Sequence, residues 1–201
     1  MPNWVSNVLT VKGKDTTELK RFQESAKREG DEPAALSFHS LYPLPQELFD
    51  DMNNGGKEVT GLDLTNKEFQ TEEEKRAVFK EKYGAKDWYD WHVSHWGTKW
   101  DTNVVEFNEY NGSLEYQFDT AWNPPLEWLK EVSKDFPTLE FILSYTEEGM
   151  GFKGTAYVQN GDMNNQSEDI VTEECSKCND SYDVDTMKED DNGKYVCENC
   201  V

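Results

Sequence analysis

The sequence predicts an α+β sandwich, one antiparallel-rich sheet with helices on one face, followed by a small cysteine-bearing appendage. Three observations carry this. Runs of two-residue apolar period alternate with runs of helical period, and an Asn111-Gly112 turn joins two alternating runs. All four cysteines of the 201-residue chain fall in two C-x2-C pairs after residue 174. A chain of this length has room for one main domain and one small unit.

Along the chain, WVSNVLTVKG places Val5, Asn7, Leu9 and Val11 on one side and Trp4, Ser6, Val8 and Thr10 on the other. Apolar residues on both sides predict a central strand. Asp15 is positioned to cap a helix, with Glu18 as its reciprocal partner, Leu19, Phe22 and Ala26 as the inward stripe, and Gly30 as the stop. ALSF at 35–38 reads as a second strand, and the prolines of LYPLPQEL impose an extended path after it. Residues 50–70 are polar and carry glycine, and are expected to form a surface insertion. A further helix is capped by Thr71 with Glu74 and ends at Tyr83-Gly84.

NVVEFNEYNGSLEYQFDT then reads as a hairpin, with Leu114, Tyr116 and Phe118 pointing inward. Asn123 is positioned to cap a helix that starts at Pro124 and turns Leu126, Leu129, Val132 and Phe136 to the core. TLEFILSY and GFKGTAYV pair across a turn at 149–151. Residues 159–174 have scarcely an apolar anchor and are expected to be an acidic linker. The expected organisation is a main domain over 1–158 with a helical or loop insertion at about 50–100, the linker, and a ribbon over 175–201.

The cysteine spacing is the most specific signal. Cys175 and Cys178 form one pair, Cys197 and Cys200 the other, with eighteen residues between the pairs. Two residues between thiolates let one tight turn aim both sulfurs at one ion, and two such turns complete a tetrahedron. Asn192-Gly193 supplies a turn for the returning hairpin. This is the pattern of a zinc ribbon, with Zn2+ in a structural role because four thiolates leave no position for water. The segment is too small and acidic to build its own core, so metal binding is expected to supply folding energy on the order of 10 kcal/mol.

Twenty basic residues face 41 acidic ones, a formal net charge of −21. Nucleic-acid affinity rests on lysine and arginine displacing counterions, so this balance opposes direct nucleic-acid binding and attachment to anionic membranes. It favours a partner with a basic surface. The N-terminal stretch has no charged leader before an apolar run, and the cysteine usage suits a reducing compartment, which leads to a cytoplasmic expectation.

WYDWHVSHWGTKW, residues 88–100, holds four tryptophans and two histidines. Burying four aromatic rings, at roughly 150–250 Å² each and about 25 cal/mol/Å², yields ~15–25 kcal/mol gross. Net domain stability is only ~5–15 kcal/mol, so a chain poor in aliphatic residues cannot leave most of these rings in water. Most of the cluster is therefore expected to be core. One or two rings beside Lys99 are the candidates to line a cleft, with Trp96, Lys99, Trp100 and Asp101 as ligand-binding residues. His92 and His95 lack the spacing of a metalloprotease helix and are assigned packing or polar roles. No nucleophile elbow, P-loop or dinucleotide fingerprint occurs, and no catalytic residue is assigned.

Several short blocks occur in order: MPNW.SN.L.V.G, then L.F..L.P.P.EL at 36–48, WGTKWD at 96–101, TAWNPP at 120–125 and FPTLEF.L.Y.EEG..F.G at 136–154. Over residues 1–154 the chain resembles the YubB ferredoxin-like family of phage and plasmid proteins. The resemblance implies a ferredoxin-like α+β fold in a mobile-element protein working inside a bacterium, and it transfers no catalytic residues. The functional expectation is a non-enzymatic, acidic phage or mobile-element accessory protein that binds a host protein, inhibiting a defence or nucleic-acid-handling factor. The alternative is a protein that binds, sequesters or processes a nucleotide or small ligand at a cleft near Trp96–Asp101.

Overall fold

Strand β1 (Trp4–Lys12) pairs antiparallel with β3 (Ser113–Ala121) on one side and β4 (Glu140–Glu147) on the other. This places it inside the sheet, as its sequence predicts. The computed structural model describes residues 3–27, 36–53, 71–102, 104–190 and 192–200. With β2 (Val104–Tyr110), β5 (Phe152–Gln159) and β6 (Asp162–Asp169), the sheet runs β2-β3-β1-β4-β5-β6. Every pairing in it is antiparallel.

Helix α1 (Thr16–Ser25) lies in sequence between β1 and β2, and α6 (Leu126–Asp135) between β3 and β4. A βαββαβ succession with strand order β2-β3-β1-β4 is the ferredoxin-like arrangement, here widened by the β5–β6 hairpin. The period-two pattern decides which side is covered. Val5, Leu9, Val11, Leu114, Tyr116, Phe118, Phe141, Leu143, Ala156 and Val158 are all buried on one face. Phe22 of α1 meets Tyr116, Phe136 and Phe141 edge-on, which seats that helix on the sheet. Glu115, Gln117, Ser144, Thr155 and Tyr157, on the opposite face, stay partly or fully exposed.

Between α1 and β2 come four short helices: α2 (Phe38–Leu41), α3 (Gln46–Asn53), α4 (Glu72–Tyr83) and α5 (Trp88–His95). Thr71 Oγ1 accepts from the Glu74 amide, and Gly84 closes α4 in the left-handed conformation at φ 72°, as the sequence predicts. Lys75 Nζ reaches Asp51 at 2.6 Å with both side chains nearly buried, which ties α4 to α3. Most of the expected insertion, 54–70, lies outside the described residues, as does Gly30.

Four expectations are corrected. Residues 36–38 are not a strand, because Ser37 caps α2 through the Ser40 amide while the Asp101 carboxylate accepts from Ser37 Oγ and the Phe38 amide. Glu18 does not complete a capping box. Asp15 accepts from the Thr17 amide, and Glu18 instead pairs with Arg21 at 2.9 Å; the helix ends at Ser25. Asn123 is not a helix cap. A residue before proline is pushed out of the helical region, so Pro124-Pro125 delays α6 until Leu126. The Asn123 carbonyl accepts from Thr120 Oγ1 instead.

The fourth correction concerns the acidic stretch 159–174, which is built rather than linking. Asn160 and Gly161, at φ 48° and 82°, make a tight turn that returns the chain as β6, paired with β5 from Gln159↔Asp162 to Phe152↔Asp169. Such polar, charged residues suit an exposed edge strand, which explains why no apolar pattern announced it.

Candidate metal centre and aromatic surface

After β6 the chain forms β7 (Thr172–Glu174), which pairs with β8 (Ser181–Asp183), and then β9 (Lys188–Glu189), which pairs with β10 (Tyr195–Val196). The first C-x2-C turn, 175–178, lies in the loop that joins β7 to β8, and the second, 197–200, follows β10 directly. The Asn179 amide donates to the Cys175 carbonyl at 2.8 Å and the Cys200 amide to the Cys197 carbonyl at 2.9 Å, closing both turns. Across them, the Ser176 amide bonds the Tyr195 carbonyl at 2.9 Å, which fixes one turn against the other.

All four Sγ atoms lie within 4.8 Å of one another. The Cys178–Cys197 separation of 3.9 Å matches the edge of about 3.8 Å that a tetrahedron with ~2.3 Å metal–sulfur bonds requires. None of the four is in a disulfide. The Cys197 amide points at Cys175 Sγ at 3.4 Å, and such N–H donors draw the Cys175 thiol down to about 6. A hydrogen bond with the Cys197 sulfur, followed by burial, pushes Cys200 up to about 12. A bound cation favours the thiolate at every one of these positions. Tyr182, Met187 and Val196 pack against the sulfurs as a small apolar shell. The arrangement is a zinc-ribbon-like element that can hold one metal ion.

The appendage is joined to the sheet. Lys153, on β5, reaches Asp183 at 2.7 Å and Asp185 at 2.5 Å. The Val184 amide donates to the Val171 carbonyl at 2.8 Å.

The tryptophan segment divides in two. Trp96 is 1 % exposed, donates from Nε1 to the Tyr42 carbonyl at 2.9 Å and stacks on His92 at 3.8 Å. Trp91 is buried and stacks on His95 at 4.4 Å. His92 Nδ1 lies 2.7 Å from the Lys99 carbonyl, so that nitrogen carries the proton; burial pushes the imidazole down to about 4. Asp101 is the clamp on α2 and also accepts from the Thr102 amide at 2.8 Å. Trp96 and Asp101 therefore serve the interior.

Lys99 and Trp100 come together on the surface. The Lys99 ammonium lies 4.6 Å from the Trp100 ring, 5.4 Å from Tyr89 and 5.5 Å from Trp122. Trp100 stacks on Trp122 at 6.2 Å and meets Trp4 at 5.9 Å. Trp4 is 51 % exposed and Trp100 39 %. Trp122 stands at φ 65°, a left-handed conformation rare for a bulky residue, held by its amide donating to the Asn3 carbonyl at 2.9 Å. Gly97, at φ 83°, passes so close to the Pro124 carbonyl that a Cβ would come within 3.2 Å, and it lets the chain step from buried Trp96 to buried Thr98.

Sequence reasoning missed Trp4, Tyr89 and Trp122 as members of this surface. The signal for Trp4 was present, since it shares parity with Ser6 and opposes Val5 and Leu9. Two open depressions, of about 500 and 850 Å³, lie at the far end of β1 around Asn111 and Gly112.

No helix in the described residues is long and apolar enough to cross a membrane. No curated protein matches the chain. The crystal structure of a protein api92 from Yersinia pseudotuberculosis is similar at a TM-score of 0.47 and 10 % identity, covering 85 % of this chain and 99 % of that one. In sequence, residues 95–189, from the end of α5 to β9, match a family model described as the ferredoxin-like domain in Api92-like protein; β1 lies outside the matched residues.

Proposed function

We propose that the protein is a non-enzymatic accessory factor of a phage or other mobile element that binds a basic surface on a host protein, inhibiting a host defence or nucleic-acid-handling factor. The carrying observation is the charge: 41 acidic against 20 basic residues, a net −21. A surface of that sign repels phosphate backbones and attracts the cationic clefts that bind them. The zinc-ribbon-like element fits this role as a scaffold, with Zn2+ held by Cys175, Cys178, Cys197 and Cys200 for structure and not for chemistry. The test is capture from bacterial lysate by the full chain at low ionic strength, followed by reconstitution with the purified partner. A basic partner released by salt is expected; no partner above background, or only acidic ones, overturns the reading.

A second reading is favoured by the Lys99 geometry. An ammonium beside exposed indole faces can take a phosphate while a base stacks on Trp100. This makes the protein a nucleotide-binding or nucleotide-sequestering factor. A thermal-shift panel of linear and cyclic nucleotides tests it, and a flat response removes it.

A further inference from the structure

We propose that the helix-free face of the sheet, entered through the Trp4–Trp100 corner, is the docking surface for an arginine-bearing segment of a protein partner; this rests on the basic-partner reading above. Three observations place it there.

The first is which residues the pleat turns outward. Phe107 packs on Tyr116 at 4.9 Å on the covered face, so its neighbours Glu106 and Asn108 point to the other side. Glu106 stands opposite Gln117, Glu115 opposite Thr10, and Asp119 opposite Ser6, two residues from Trp4. Diagonal neighbours in a sheet are about 7–8 Å apart, so Asp119 lies beside the Trp4 ring and Glu115 about 13 Å further along its strand.

The second is that these carboxylates are uncompensated. Asp119 accepts only from Ser6 Oγ at 3.2 Å and Glu106 from Asn108 Nδ2 at 3.0 Å; neither they nor Glu115 has an ion pair among the described residues. Of the lysines on this face, Lys12 lies at the far end opposite Ser113, and Lys153 is engaged by Asp183 and Asp185.

The third is that the rings are exposed and yet fixed. Trp4, Trp100 and Trp122 form a continuous series drawn from three parts of the chain, with Trp122 held in its left-handed conformation by Asn3. Rigid indole faces present contact area at little entropic cost. Lys99 covers Tyr89, Trp100 and Trp122 but does not lie over Trp4, which leaves that ring open. A guanidinium is the group that both stacks on an indole and forks onto a carboxylate, and Trp4 and Asp119 offer the two within one side chain's reach.

The test uses the full chain and fluorescein-labelled deca-arginine, with an oligothymidine of ten nucleotides as the anionic probe, followed by anisotropy at about 50 mM salt. Two variants change the surface: Trp4→Ala, and the triple Glu106→Gln, Glu115→Gln, Asp119→Asn. A charge-matched control changes Glu73, Glu81 and Glu127 to Gln on exposed helical positions. We expect each surface variant to weaken deca-arginine at least about tenfold and the control less than about twofold. Equal weakening by the control and the surface triple overturns this docking site while leaving the basic-partner reading intact. No binding of deca-arginine by the unaltered protein defeats both. Tighter binding of the oligothymidine, lost in Trp4→Ala, assigns the corner to a nucleic acid and overturns the proposal.

Discussion

The Lys153 ammonium meets the Asp183 carboxylate at 2.7 Å and so fastens the cysteine-bearing segment to strand β5. Hydrogen bonds donated to Asp183 and Asp185 hold Lys153 above its ordinary value of 10.5, and the same bond from Lys153 holds Asp183 below its ordinary 3.8. The signs define a window. Asp183 contributes above its unfolded value and loses that contribution as pH falls through the lowered folded one. Lys153 contributes below 10.5 and loses it as pH rises through the raised folded value. Lys153→Ala leaves two carboxylates without their cation. The Val184 amide is expected to exchange hydrogen faster at neutral pH, with the amides of β1 and β4 unchanged.

Removing metal is expected to act locally. A chelator, or Cys197→Ser, should abolish protection over residues 172–200 and spare the sheet. Reconstitution with Co2+ should give the absorption of a tetrahedral tetrathiolate, and acidification should release the metal as the thiolates protonate. Absence of stoichiometric metal in purified protein, by atomic absorption, would remove the centre.

Lys75 and Asp51 are the one nearly buried ion pair among the described residues, 2.6 Å apart with side-chain exposures of 7 % and 8 %. Lys75 also pairs with Glu72 at 2.8 Å, so it is removal of the lysine that strands a charge in the interior. Lys75→Met is therefore expected to cost roughly 3–5 kcal/mol, read as a lowered urea midpoint, whereas the paired change Lys75→Met with Asp51→Leu should recover much of it.

His92 makes the fold sensitive to mild acid. Its folded value, about 4, is below the ordinary 6.5, so the unfolded chain binds the extra proton and stability falls as pH drops through that interval. The full effect is ~3 kcal/mol, reached below pH 4. Urea titrations at several pH values should show His92→Gln with a flatter profile between pH 6.5 and 4 than the unaltered protein. Parallel profiles would mean that His92 does not titrate there.

The strands were legible because their signal is local. Val5-Leu9-Val11 and Leu114-Tyr116-Phe118 alternate without interruption, and Asn111-Gly112 fixes the turn between the second run and β2. The cysteine knuckles were legible for the same reason. What failed was decided from a distance. Nothing near Ser37 says that Asp101 will reach back to bond its hydroxyl and start a helix there. β6 has no apolar alternation because an edge strand needs only backbone partners, and Asn160-Gly161 was its one cue. At the aromatic surface the sequence places Lys99 and Trp100 together, but Trp4 and Trp122 arrive only through the pairing of β1 with β3.

That pairing also bears on synthesis. Trp4 faces Ala121 and Asn7 faces Tyr145, so one of the two central strands of the sheet leaves the ribosome with neither neighbour yet made. At about 5–20 residues per second, β1 waits on the order of 5–20 s for β3 and longer for β4. During that delay the apolar side of Val5, Leu9 and Val11 has no strand beside it, and α1, which follows directly in sequence, is the first element able to cover it.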